Sequence, residues 1–329
     1  MIAACPEGVA VLGIGSHVPD RVVTNDEIAT MVETSDEWIA QRTGIHERRI
    51  AAADDSSASL GAEAARIALA SAGLAPGELD LIVAATASPD YYFPATASLI
   101  GDAIGAVDVA GYDLSAACTG FIYALAQGYS QIAAGLADTV LVVGTEVFSR
   151  LLDWDDRSTC ILFGDGAGAV VLGRSQTGGL RGFEMGADGS GGLLLSVAAA
   201  GNAHPDREGP YVRMNGPEVY KFATRVVVES AMRCLDAAGM SVADVDCFVP
   251  HQANRRIIDH AARRLGIDEG KVFTNVDRYG NTSAGSIPIG LDEAWRQGRI
   301  DRGDIVLMVG FGGGLAWGSA LLEWTKERV

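Results

Sequence analysis

The stretch DLSAACTGFIYAL, residues 113–125, runs from a short apolar strand pattern through small residues to Cys118 and then into a helix-like series. A lone cysteine among alanines is ordinarily a small buried hydrophobe. At the start of a helix, however, a thiol gains roughly 0.3 to 1 kcal/mol from the positive end of the helix dipole, and up to about 2 kcal/mol when partly buried. One pKa unit is about 1.4 kcal/mol, so the dipole alone predicts a thiol lowered by a unit or so, as suits a nucleophile. Ala116, Ala117, Thr119 and Gly120 leave space for a substrate carbonyl. The main-chain N–H groups of Cys118 and of the run GFGGG, ending at Gly314, are candidates to hold the resulting oxyanion. Thiol attack on a thioester matches this set. His251 and Asn281 offer two further hydrogen-bond donors if the imidazole is neutral. Such a pair suits an enolate oxygen formed by decarboxylation or deprotonation beside a carbonyl. Taken singly, a histidine at a strand end is ordinarily a structural hydrogen-bonder, and YGNTSAG is an ordinary turn.

An internal repeat says what must position these groups. EAARIALASAGLAPGELDLIVAA, from Glu63, aligns without a gap on ESAMRCLDAAGMSVADVDCFVPH, from Glu229, a shift of 166 residues. Glu63, Ala65, Leu69, Ala72, Gly73 and Asp80 match Glu229, Ala231, Leu235, Ala238, Gly239 and Asp246, and the same shift carries DTVLVVG onto DIVLMVG. The period is too long for a solenoid and predicts two similar halves, 1–174 and 175–329, each reading as helix, buried strand, helix, strand, helix, strand. The fold class is therefore α/β, with largely parallel sheets. Ligands of such sheets collect beyond the carboxyl ends of the strands. There the shift pairs Cys118 with Ala284, His251 with Ala85 and Asn281 with Ser115, so reactive groups stand where the other half has bland ones. Halves packed about a pseudo-dyad would bring the three together.

The chain has 329 residues, 48% of them apolar, enough for a large core. Its apolar runs are about one buried strand long, far short of the roughly 18 residues of a membrane span, and its N-terminus shows no secretory pattern. A cytoplasmic protein that crosses no membrane is expected. Five scattered cysteines without a CxxC argue against disulfides and against a zinc site, so no metal is expected. The net charge of −17 disfavours nucleic acid. Against that acidity HQANRRIIDHAARRLG stands out. On a helix, Arg256, His260, Arg263 and Arg264 share one face, either an ordinary solvated one or a docking patch for an anionic partner.

DLSAACTGF, VPHQAN, RYGNTSAGSIP, GFGGGLAWGS, DEWIAQRTGI and DWDDRSTCILFGDGAGAVVL together resemble the β-ketoacyl-acyl carrier protein synthase III family of the thiolase superfamily, over essentially the whole chain. The resemblance implies a five-layered thiolase fold and a homodimer. It also implies condensation of an acyl-coenzyme A primer with malonyl-acyl carrier protein, coenzyme A thioester being a substrate and no cofactor being permanently bound. Residue by residue, it implies Cys118 as the acylated nucleophile, His251 and Asn281 as stabilisers of the malonyl-derived carbanion, and Gly313 as an oxyanion-hole amide beside that of Cys118. For coenzyme A it implies Trp38 and Arg157 sandwiching the adenine, Arg42 at the phosphates and Thr34 nearby, although Thr34 with Glu37 also reads as a helix capping box. Arg256 matches a docking arginine for the acidic carrier protein. Phe93 matches the residue that crosses the dimer interface to close the partner's acyl pocket, which implies a short primer, acetyl or a small branched acyl group.

Thiolases resemble a Cys-His-Cys pattern, and no cysteine follows Cys247; elongating synthases use two histidines. VLGIGSHVPD suggests a dinucleotide-binding oxidoreductase, but Gly13 and Gly15 are followed by Val18 where the fingerprint needs a third glycine. A binding-only subunit would have no use for the three groups together. The nearer alternative is a relative in secondary metabolism that shares the triad and transfers acyl groups to another carbon or oxygen nucleophile.

Overall fold

The computed structural model describes residues 1–5, 8–198 and 211–328. Its strands are β1 (Ile2–Ala4), β2 (Val9–His17), β3 (Val22–Thr24), β4 (Glu47–Arg49), β5 (Leu81–Ala85), β6 (Ala110–Leu114), β7 (Thr139–Glu146), β8 (Gly166–Arg174), β9 (Gly179–Ala187), β10 (Leu195–Val197), β11 (Val212–Met214), β12 (Cys247–Pro250), β13 (Ile305–Gly312) and β14 (Ala316–Glu323). Its helices are α1 (Asn25–Ile28), α2 (Asp36–Thr43), α3 (Ser57–Ala72), α4 (Thr96–Ile104), α5 (Gly120–Ala133), α6 (Arg157–Cys160), α7 (Gly216–Ala237), α8 (Arg255–Leu265), α9 (Val276–Tyr279) and α10 (Ser286–Arg296).

Two five-stranded sheets, ordered β2-β8-β7-β5-β6 and β1-β9-β14-β13-β12, make up the frame. Helices α5 and α10 lie between them, sharing one core with residues of both sheets. Helices α3 and α4 cover the outer face of the first sheet, and α7 and α8 that of the second. Five layers result, α/β/α/β/α. Strands β5, β12 and β13 are buried at every residue, as continuous apolar strands covered on both faces must be.

The 166-residue shift persists in three dimensions. It carries β7 onto β13 and the short turn Ala117–Thr119 onto Ser283–Gly285, and it carries the first residue of α5, Gly120, onto that of α10, Ser286. The two central helices approach the sheets through matched glycines. A Cβ on Gly144 would lie 2.2 Å from the Ala284 carbonyl oxygen, and one on its counterpart Gly310 would lie 3.4 Å from that of Cys118.

Three expectations are corrected. The sheets are mixed, because β7 to β8 and β13 to β14 run antiparallel; only β5–β6, β5–β7 and β12–β13 are parallel. The second half's middle strand, which the repeat places at NVDRYG, is instead the one-turn helix α9. Asn275, Arg278 and Tyr279 all hydrogen-bond Glu293 of α10, which curls the segment inward, whereas its counterpart β6 stays extended at the sheet edge. Finally, β1 pairs with β9, so the N-terminus contributes to the sheet of the second half rather than to the segment 1–174. The glycines of GIGS serve packing: a Cβ on Gly13 or Gly15 would come within 2.1 or 2.6 Å of the α3 backbone at Ala68.

Candidate active site

Cys118 sits in the tight turn between β6 and α5, the residue before it, Ala117, being held at φ +46°. Gly312, at the end of β13, packs directly on it; a Cβ there would lie 2.9 Å from Cys118 Cβ and 3.2 Å from Sγ. The thiol is buried, and burial pushes it up to about 12, with hydrogen bonding between Cys118 and Ser283 opposing the rise and the nearby Glu146 carboxylate adding to it. The helix dipole therefore does not set the resting state of this thiol. It is lowered only against a larger desolvation cost, and the thiol carries its proton at neutral pH.

His251 follows β12, buried, with Nδ1 2.6 Å from Ser286 Oγ and its ring edge-on to Phe311. Burial lowers its pKa to about 3, which keeps the imidazole neutral. Asn281 follows α9, its main-chain N–H bonded to Leu162 O and its Oδ1 accepting the Ser283 N–H at 2.8 Å. With Oδ1 so fixed, Nδ2 is the polar atom it offers to the cavity it lines. Beneath these groups lies Glu146, the counterpart of Gly312, which is fully buried. It accepts hydrogen bonds from Ser283 Oγ at 2.9 Å, Ser88 Oγ at 2.5 Å, Thr86 Oγ1 at 3.2 Å and the main chain of Ala87 and Ala284. Burial raises it to about 7 despite those donors. Sequence reasoning missed Glu146, Ser283 and Ser286. The signal was present in the repeat, since their counterparts are Gly312, Ala117 and Gly120.

Two cavities meet at Cys118. One, of about 710 Å³, is lined by Cys118, His251, Asn281, Phe311 and Gly312 at its inner end and by Trp38, Arg42, Tyr220, Asn254 and Arg256 further along. The other, of about 470 Å³, runs past Ala116, Ala117, Tyr123, Phe148, Phe163, Val197, Val212 and Gly313. The outer residues of the first are tied together where Asn254 Nδ2 donates to Arg42 O, joining α2 to α8.

The remaining sequence candidates fall out unevenly. Arg42 and Arg157 both stack on Trp38, their guanidinium carbons 4.2 and 4.8 Å from the ring centroid. Arg157 also donates to Glu33 O. Thr34 forms no capping box. Ser35 caps α2, accepting the Trp38 N–H, because it is Ser35 whose backbone is extended just before the helix; Thr34 Oγ1 is left buried without a partner. Arg256, Arg263 and Arg264 are exposed and, among the described residues, face no carboxylate, whereas Arg255 is paired with Asp259 and Glu269. Phe93 is 85% exposed and lines neither cavity of its own chain. No cluster of the described residues could hold a metal ion, no described helix is long and apolar enough to cross a membrane, and all five cysteines are free.

A thiol from one half and an imidazole and a carboxamide from the other, gathered in one cavity of a five-layered repeat, is the arrangement expected of a carbon–carbon condensing acyltransferase of thiolase fold. Residues 112–189 match the family model of 3-oxoacyl-(acyl-carrier-protein, ACP) synthase III, and residues 235–324 match its C-terminal model. The chain is 52% identical over 328 residues to beta-ketoacyl-(acyl-carrier-protein) synthase III of Desulfitobacterium hafniense, covering 98% of this chain and 99% of the other. It superposes with TM-score 0.91 on the crystal structure of 3-oxoacyl-(acyl-carrier-protein) synthase III from Aquifex aeolicus, 46% identical over 96% of this chain and all of that one. With the priming β-ketosynthase of the R1128 polyketide biosynthetic pathway the TM-score is 0.93, at 38% identity and 98% coverage of each chain. The chain belongs to the β-ketoacyl-(acyl-carrier-protein) synthase III family, the condensing enzymes that initiate fatty acid biosynthesis.

Proposed function

We propose that the chain transfers a short acyl group from coenzyme A to Cys118 and condenses it with malonyl-acyl carrier protein. The thiol attacks the thioester carbonyl while the N–H groups of Cys118 and Gly313 hold the oxyanion, and the thiol proton leaves with coenzyme A. Malonyl-acyl carrier protein then uses the larger cavity. Its carboxylate bond breaks, carbon dioxide departs, and the electron pair passes into an enolate held by His251 and Asn281. The enolate carbon attacks the acyl-Cys118 carbonyl, and collapse expels the Cys118 thiolate, which takes up a proton from solvent. Trp38, Arg42, Arg157 and Thr34 would hold coenzyme A, with Arg157 swinging off Trp38 to admit the adenine. Arg256, with the unpaired Arg263 and Arg264, would meet the acidic carrier protein. We read it as a cytoplasmic homodimer with no resident cofactor.

The observation that carries this reading is the meeting of the two cavities at Cys118, one bearing His251 and Asn281 and the other a largely apolar lining for the primer. The test is a split of steps. Cys118→Ser should abolish acyl-enzyme formation from acetyl-coenzyme A, seen by intact-protein mass spectrometry. His251→Ala and Asn281→Ala should acylate yet lose about 100- to 1000-fold in malonyl decarboxylation. Near-wild-type decarboxylation in both would refute the assignment. The structural likeness to a polyketide priming synthase favours a second reading, in which the same acylated Cys118 serves secondary metabolism. A preference for a polyketide carrier protein over a fatty acid one in the condensation step would select it.

A further inference from the structure

Ser286 is the first residue of α10, in the central layer, with its hydroxyl fully enclosed. The structure gives that oxygen two polar neighbours: the Gln252 main-chain N–H, 3.3 Å away, and His251 Nδ1 at 2.6 Å. An N–H can only donate, so Gln252 occupies an acceptor lone pair of the hydroxyl. Of the two, Nδ1 alone can accept the hydroxyl proton. A proton on Nδ1 would instead leave the serine O–H aimed at no acceptor in a buried site, at a cost of about 1 to 3 kcal/mol.

The repeat supplies an independent observation. The shift of 166 carries His251 onto Ala85 and Ser286 onto Gly120. These counterparts touch in the same way, a Cβ on Gly120 lying 3.0 Å from Ala85 Cβ. One half therefore keeps a pair of minimal side chains at this contact, and the other has a hydroxyl and an imidazole. The serine belongs with the histidine, not with the architecture common to both halves, which is satisfied by glycine.

We propose that Ser286 is a positioning residue: by donating its hydroxyl proton to Nδ1 it holds His251 as the Nε2–H tautomer and aims that N–H into the cavity beside Asn281 Nδ2. Which ring nitrogen of a histidine carries the proton is set by the bond the other one makes. Two N–H donors then converge where an enolate oxygen forms, with no acceptor lone pair facing it. Phe311 packs against the same imidazole in a T-shaped contact, ring centroids 5.3 Å apart.

This deepens the proposed function and rests on it for the step affected, but its first readout does not depend on activity. In protein labelled with ¹⁵N-histidine, long-range ¹H–¹⁵N spectra at neutral pH should show His251 protonated on Nε2 and bare on Nδ1, assigned by its loss in His251→Ala. Protonation on Nδ1 would overturn the proposal and leave the condensation reading intact. Ser286→Ala should slow malonyl decarboxylation roughly 10- to 100-fold, a fraction of what loss of the donor itself costs. Acylation of Cys118 by acetyl-coenzyme A should stay within about threefold, which shows a folded site. Ser286→Thr, which keeps the hydroxyl, should recover most of the loss. In a His251→Ala background, Ser286→Ala should add nothing further, since the serine acts through the imidazole. A further tenfold loss there, or decarboxylation unchanged in Ser286→Ala, would overturn it; unchanged decarboxylation in His251→Ala alone would instead strike the reading beneath it.

Discussion

At the scale of single residues, magnitudes decide between competing causes. The dipole of α5 offers Cys118 up to about 2 kcal/mol, whereas a rise from 9 to about 12 corresponds to roughly 4 kcal/mol, so burial wins. The same enclosure keeps His251 neutral and holds Glu146 near 7. Glu146 gives a prediction with a definite sign. Between pH 4.5 and 7 the folded chain keeps a proton on Glu146 that the unfolded chain has released, so its contribution to stability falls as pH rises, by about 3 kcal/mol in all. His251 works the other way. Its unfolded imidazole takes a proton below about 6.5 and its folded one only near 3, so its contribution falls as pH drops. The two offset each other over much of the range in the wild type, and comparison with Glu146→Gln separates them. Urea titrations from pH 4.5 to 7.5 should show the wild type's advantage over Glu146→Gln shrinking by about 3 kcal/mol as pH rises. A gap that does not change with pH would mean that Glu146 ionises like an exposed carboxylate.

At the scale of elements, the repeat was legible wherever both halves kept the same class of residue. LIVAA and CFVP, or TVLVVG and IVLMVG, are buried strands in any reading, and where the two halves depart from each other in residue type, at Cys118 against Ala284, His251 against Ala85 and Asn281 against Ser115, the repeat marks the candidate site. What could not be read was anything decided by partners distant in sequence. NVDRYG has a strand-like position in the repeat, but Glu293 of α10 gathers Asn275, Arg278 and Tyr279 into a helical turn. Likewise Thr34 and Glu37 have the spacing of a capping box, yet the chain turns one residue later and Ser35 takes the cap. At Glu146, too, nothing local says that five donors surround the carboxylate. The turns that hold Cys118 and Asn281 are seated by β7 and β13, and this yields an element-scale prediction. Gly144→Ala drives a methyl to 2.2 Å from the Ala284 carbonyl oxygen, where only main chain stands in the way. It should cost about 3 kcal/mol or more and misplace Asn281, since overpacking against backbone has no cheap relief. Gly77→Ala, with nothing within 4 Å of its new Cβ, should leave the urea midpoint unchanged or slightly higher. Equal midpoints for the two variants would contradict the close approach.

For the whole molecule, one edge of the first sheet, strand β6, pairs on one side only among the described residues. Strand β6 is exposed along Ala110–Tyr112, and Tyr91, Phe93, Val107 and Tyr112 are large hydrophobic side chains with 36% to 85% exposure around it. A long unpaired edge with exposed apolar residues is a site for pairing with another chain, and a two-fold axis lets β6 meet its own copy antiparallel. On that reading Phe93, useless to its own cavities, reaches the acyl cavity of its partner and limits the primer, each excluded methylene being worth about 1 to 3 kcal/mol of discrimination. Replacing Tyr112 by Asp should halve the sedimenting mass at micromolar concentration by placing like charges opposite each other at the axis. The gate itself is tested by complementation. Homodimers of Phe93→Thr should accept octanoyl-coenzyme A far better relative to acetyl-coenzyme A than the wild type does. When Phe93→Thr chains are refolded with an excess of Cys118→Ser chains, the only working thiols belong to Phe93→Thr chains, and most of these face a partner with an intact phenylalanine. Those mixed dimers should return to wild-type primer selectivity. Were the mixture to keep the relaxed selectivity of the Phe93→Thr homodimer, Phe93 would act within its own chain and the gate across the interface would be wrong.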